Sequence, residues 1–347
     1  MRNSSDYINE SVYKVNRNYS KLQNKTEELF FQCLDEGRDV NYFIYKLDEI
    51  WGNIDHSFID EQINEYIEII HEYNLEQLNI QEDEKKSKIS AKNVAQLVIL
   101  GELLLTNKNK MLDEEKRFEK VIINRYKTYS NSPAYKNDKQ EYLKQKVSQY
   151  DNQVVPYFNK NGEVIRYVQL STYESMIQNT NLTRAAWNST INDGMNLGYS
   201  RFWIPPHLFS CDKCSEWQGK ILNSKEVMDF VSHVEEQEGD ILHPNCKCSL
   251  LIYTEDTTLR KQDLSKSEID NYYKIRQQVN SLTLKKDRLL TDIRIQKKLG
   301  NQDQVDILNS QRNKVNSQIR ELIGELPTEE MKKKVVAINR WPKKSLN

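Results

Sequence analysis

The chain has 347 residues, with 50 Lys and Arg against 51 Asp and Glu, for a net charge of −1. That length favours two or three units over one compact domain, and the charge balance excludes a polycation, so any nucleic-acid contact must come from a local patch. Ten Gly and seven Pro favour helices over a loop-rich β architecture, and five Cys are too few for a disulfide scaffold in a chain this long.

Residues 1–150 read as helices almost throughout. Ile8, Val12, Val15, Tyr19, Leu22, Leu29 and Phe30 recur at helical spacing. A second series follows at Phe43, Ile44, Leu47, Ile50 and Trp51. Asp55 or Ser57 is placed to cap a third helix with Ile59, Ile63, Ile67 and Ile70 on one face. Cys33 stands alone and is expected as a buried thiol within the first helix. The run 82–88 is mostly charged and reads as a solvated helix end or linker. The most apolar stretch, Val94–Leu105, is too short to span a bilayer and is interrupted by Gln96 and Glu102. It reads as a core helix, and no segment reads as a signal peptide. The expectation is a protein with no membrane partner, made in the cytoplasm with reduced thiols. A packed helical platform is the predicted architecture, and no catalytic motif falls in it.

The pattern changes near Gln153. Two β-prone runs, 154–158 and 164–168, flank Asn159-Lys160-Asn161-Gly162, which predicts a hairpin. A helix is predicted from Thr172, ending at Gly194 or Gly198. Arg201–Ile204 reads as a strand stopped by Pro205-Pro206. Ser224 is placed to cap a short helix, and Ser249–Tyr253 reads as a closing strand. Residues 151–255 therefore form a small α+β unit.

From Ser265 the chain is helical again. Ile275, Val279, Leu282, Leu289 and Ile293 make one apolar stripe, and Leu308, Val315, Ile319, Leu322 and Leu326 a second, with Gly300-Asn301 between them. An antiparallel, coiled-coil-like hairpin over 265–326 is predicted. The tail, 327–347, carries Lys332, Lys333, Lys334, Arg340, Lys343 and Lys344 against Glu329 and Glu330. These six cations would give weak, salt-dependent contact with DNA phosphates, or simply a solvated tail. The fold class is thus mainly α with a small central α+β domain, a helical N-terminal region and a C-terminal helical hairpin.

Four of the cysteines cluster. Cys211-Asp212-Lys213-Cys214 is a C-x-x-C knuckle, and His243-Pro244-Asn245-Cys246-Lys247-Cys248 supplies two more thiols and an imidazole. Zinc takes four soft or borderline ligands in a tetrahedron, and two short-range pairs deliver them. Structural Zn2+ on Cys211, Cys214, Cys246 and Cys248, with His243 able to replace a thiol, is one reading. Reduced thiols in a small core, a disulfide formed late, and a redox pair are the others. A catalytic zinc would need an open position and a nearby acid or base, for which Glu216 and His207 are the candidates close in sequence.

The stretch Cys211–Ile221 with His243–Cys248 resembles the phage Mu protein F-like domain of head-morphogenesis proteins, with C-x-x-C, then Gly-Lys, then H-P-x-C-R-C; Lys247 takes the Arg position. Upstream, Tyr167, Leu170-Ser171-Thr172-Tyr173 before a helix, His207 and Trp217-Gln218-Gly219-Lys220 resemble the related minor capsid protein 2 group, with Asn179-Thr180 where that group has an Arg-Thr pair. That group also tends to have Arg and His where Cys211 and Cys214 lie, so the sequence looks intermediate between the two. The likeness covers about residues 151–255. It implies a non-enzymatic minor structural protein of the phage head, near the portal and assembled with portal or major capsid protein, acting in assembly or accompanying DNA. A zinc-containing nucleic-acid-binding protein or HNH-like nuclease using His243 and Asn245 is the alternative expectation.

Overall fold

A computed structural model of the chain describes residues 4–52, 54, 56–78, 91–158, 161–207, 210–232, 242, 246–259, 265–329, 331–333 and 335. The chain is mainly α with a small α+β part, as the residue pattern predicts.

Helix α1 (Ser4–Asp35) is a 32-residue element of the first core. Its face of Val15, Tyr19, Phe30, Phe31 and Leu34 is buried, and the lone thiol of Cys33 is buried with it. Burial pushes that thiol up to about 11. The helix stops at Gly37, whose φ of +68° lets the Arg38 N–H reach back to the Cys33 carbonyl. Asp39 then caps α2 (Val40–Trp51) by accepting the Tyr42 N–H at 2.8 Å. Phe43, Leu47 and Trp51 form the buried face of α2. Helices α3 (Ser57–Gln77), α4 (Ala91–Ser130), α5 (Pro133–Asn137) and α6 (Lys139–Gln149) complete the N-terminal helical platform.

Strands β1 (Gln153–Phe158) and β2 (Val164–Gln169) pair antiparallel, with Val155 opposite Val168. They lead into α7 (Leu170–Asn196), which is predicted from Thr172 and begins two residues earlier. This helix is buried nearly all round. It packs on α1, α3 and α4 on one side and on the small sheet unit on the other. Gly198, at φ +83°, ends it, with the Tyr199 N–H bonded to the Gly194 carbonyl at 2.8 Å. Gly194 is needed for space, since a Cβ there would sit 2.8 Å from the Phe202 ring. The helix therefore approaches the next strand as closely as a backbone can.

That strand is β3 (Arg201–Trp203), the centre of a three-stranded antiparallel sheet in the order β4-β3-β5. The unit adds α8 (Asp212–Ser215), β4 (Ile221–Asn223), α9 (Ser224–Ser232) and β5 (Leu251–Ile252). Its core is small, built on Trp187, Ile191, Phe202, Leu222, Val227 and Ile252 together with Cys214, Cys246 and Cys248.

The C-terminal hairpin consists of α10 (Lys266–Lys298), opened by a capping box between Ser265 and Glu268, and α11 (Gln302–Gly324). Gly300, at φ +70°, makes the turn. The hairpin docks on the platform. Arg288 donates to Glu27 at 2.5 Å and to the Val147 carbonyl at 3.0 Å, and lies 2.9 Å from Asp292. Asn152 also donates to Glu27, at 2.8 Å. The largest apolar core joins the helical platform, the first strand pair, α7 and the C-terminal hairpin, since Phe30, Tyr126, Val147, Val155, Leu170 and Ile295 share it.

A second polar cluster lies inside the platform. Tyr19 donates to Glu115 at 2.5 Å, and His56 Nε2 lies 2.8 Å from the same oxygen. Glu174 on α7 is fully buried nearby, and among the described residues neither of its oxygens has a hydrogen-bond partner.

Candidate metal centre

The C-x-x-C knuckle and the C-x-C pair converge. Cys214, Cys246 and Cys248 are buried, and their sulfurs all lie within 4.8 Å of one another, so the three could hold a metal ion. Cys214 Sγ lies 3.7 Å from Cys246 Sγ. A disulfide needs about 2.0 Å, and all five cysteines are free thiols. A tetrahedral ion with metal–sulfur bonds of about 2.3 Å sets its sulfurs about 3.8 Å apart. The observed spacing fits that edge.

Local structure explains the convergence. Cys211 sits at the N-cap of α8, and its sulfur accepts the Cys214 N–H at 3.4 Å. That turn points Cys214 inward. Alternate residues of an extended segment face the same side, and Cys246 and Cys248 both face the cluster while the Lys247 ammonium turns the other way, to Asn179. The Cys248 N–H approaches Cys246 Sγ at 3.5 Å. Such N–H groups stabilise thiolate charge on a metal.

Helix α7 fixes the far half of the centre. Asn179 Nδ2 donates to the Cys246 carbonyl at 3.0 Å, and Trp187 Nε1 donates to the Cys248 carbonyl at 3.0 Å. Asn179 Oδ1 accepts from Lys247 Nζ at 2.9 Å. Burial, with repulsion from Arg276, pulls the Lys247 ammonium down to about 7. Two edge-on aromatic contacts, Trp187–Phe230 and Trp217–Phe230, close the apolar shell.

The surroundings of Cys214 and Cys248 favour the protonated thiol. Hydrogen bonding with Cys211, Cys246 and Cys248, and then burial, push Cys214 well above the ordinary thiol range. For Cys248 the contact with Cys214 pulls down, while Cys246 and burial push up and prevail. A cation would reverse this balance, because a coordinating thiol gives up its proton.

The predicted residues divide as follows. Cys214, Cys246 and Cys248 meet. Cys211 is half-buried beside Cys214 and stands outside the tight triad. His243 lies outside the described residues, and Glu216 is exposed to solvent. His207 Nε2, by contrast, lies 3.5 Å from Cys248 Sγ. The sequence places His207 near the knuckle only as an acid or base. Its position four residues before Cys211 and just after Pro205-Pro206 is the available signal for a ligand. Of the basic tail, Lys332 and Lys333 are described, and Lys334, Arg340, Lys343 and Lys344 lie outside the described residues. Lys332 pairs with Glu329 at 2.9 Å, while Met331 and Val335 pack into the hairpin core.

No family model matches this chain, and no curated protein or solved structure matches it. Among the described residues, no helix is long and apolar enough to cross a membrane.

Proposed function

We propose that the chain is a structural component of a bacteriophage head, a minor capsid or head-morphogenesis protein whose small α+β unit is stapled by a structural zinc ion. The observation that carries this reading is the meeting of the two halves of the resembling motif. Thiols 32 residues apart in sequence, one from C-x-x-C and one from H-P-x-C-K-C, lie 3.7 Å apart in a buried centre. Zinc is the ion favoured by a buried, thiol-rich set in a reducing compartment. A core as small as that around Phe202 and Trp187 gains most from such a staple.

The role is non-enzymatic. The helical platform and the hairpin offer long faces to a portal or major capsid protein, and the basic tail would touch packaged DNA. The alternative, a zinc-containing nucleic-acid-binding protein or HNH-like nuclease, would draw on His243 and Asn245, both outside the described residues.

The test is to fractionate a producing lysate on a density gradient and detect the chain by peptide mass spectrometry. The proposal expects it in purified heads at a fixed ratio to major capsid protein. Recovery only in the free soluble fraction would overturn it.

A further inference from the structure

We propose that His207, through Nε2, is the fourth ligand of the ion held by Cys214, Cys246 and Cys248, and that Cys211 shapes the knuckle without ligating. The inference rests on the metal reading above and specifies its coordination.

Three observations lead to it. The first is distance. Metal–sulfur and metal–imidazole bonds of about 2.3 and 2.05 Å in a tetrahedron put nitrogen and sulfur about 3.6 Å apart. His207 Nε2 lies 3.5 Å from Cys248 Sγ, at the edge of the triad. The second is anchoring. The backbone N–H of His207 donates to Gln218 Oε1 at 3.1 Å, and the Ile204 carbonyl accepts the Gly219 N–H at 2.7 Å. The segment that carries the imidazole is thus tied to the turn that follows Cys214, so ring and knuckle approach an ion as one unit. The third is the position of Cys211. It is half-buried where the other three thiols are buried, and it stands outside the set of sulfurs that lie within 4.8 Å of one another.

Charge points the same way. Three thiolates, a neutral imidazole and a divalent ion leave one net negative charge. Four thiolates leave two, within an apolar core that includes Trp187, Leu250 and Ile252. Burying the extra charge is the costlier choice.

Cobalt(II) is the probe, because it takes the same tetrahedral sites and its visible spectrum counts thiolate ligands. The full chain would be titrated with cobalt as wild type, His207→Cys, His207→Ala and Cys211→Ser. The proposal expects a three-thiolate spectrum from wild type and from Cys211→Ser. His207→Cys should gain thiolate-to-metal charge-transfer intensity and shift the ligand-field bands to the red. His207→Ala should bind at least tenfold more weakly in chelator competition. A quarter of the charge-transfer intensity lost in Cys211→Ser, with His207→Cys unchanged from wild type, would overturn the assignment and leave a four-cysteine site. Wild-type protein that binds no cobalt would overturn the metal reading itself and the assignment with it.

Discussion

Asn179 binds two successive residues of the C-x-C segment: its amide nitrogen holds the Cys246 carbonyl at 3.0 Å and its oxygen accepts the Lys247 ammonium at 2.9 Å. One side chain of the central helix thereby sets the path of the C-x-C segment and partners the cation between the two thiols. The motif that this stretch resembles has Arg where Lys247 stands. A buried acceptor at Asn179 gives a cation there a structural reason.

Asn179→Ala therefore removes two hydrogen bonds, one of them to the half-buried Lys247 ammonium. A loss of about 2–3 kcal/mol is expected in urea unfolding, together with a roughly tenfold fall in metal affinity from the loosened support. Unchanged metal affinity would separate Asn179 from the centre.

Much of this arrangement is legible in the chain. The stripes ending at Leu289-Ile293 and resuming at Leu308 around Gly300 mark the hairpin, and the C-x-x-C and H-P-x-C-K-C spacing marks four thiols, of which three meet in the buried centre. The environment of α7 is not legible. Gln178, Asn179, Asn181 and Thr183 are buried polar residues, and a polar residue in sequence reads as a solvated face. Their partners include a backbone carbonyl and side chains on other elements, more than 60 residues away. No local pattern records such a pairing. The same holds for His207, whose role depends on a thiol 41 positions on.

Glu174 gives the platform a pH dependence. Burial, and then repulsion from Glu115 and Glu114, raise its carboxyl well above the ordinary range. Asp292 is pushed up by burial to about 7. Both groups hold protons in the folded state that the unfolded chain has released. Stability is thus greatest below the ordinary carboxylate range and falls as pH rises through the folded values, by at most about 1.4 kcal/mol per pH unit for each group. Urea midpoints measured from pH 5 to pH 8 should decline for wild type and decline less steeply for Glu174→Gln. Identical slopes would mean that Glu174 gives up its proton in the folded protein as readily as in the unfolded chain.

Arg288 joins the hairpin to the platform through Glu27. Glu27 is fully buried and burial raises its carboxyl even beside Arg288, so removing that partner leaves a buried acid without its cation. Arg288→Ala is expected to cost about 3–5 kcal/mol, and Glu27→Gln with Arg288→Met should recover much of that. Hydrogen exchange should show α10 loosening near residues 287–298 in the single variant. A single variant as stable as wild type would show that the ion pair does not hold the hairpin.

Metal content tests the central claim most directly. Protein purified without a metal-affinity tag would be assayed by plasma mass spectrometry as wild type, Cys214→Ser and Cys246→Ser. The account predicts about one zinc per chain in wild type and none in either variant. No zinc in wild type, or zinc retained in both variants, would contradict it.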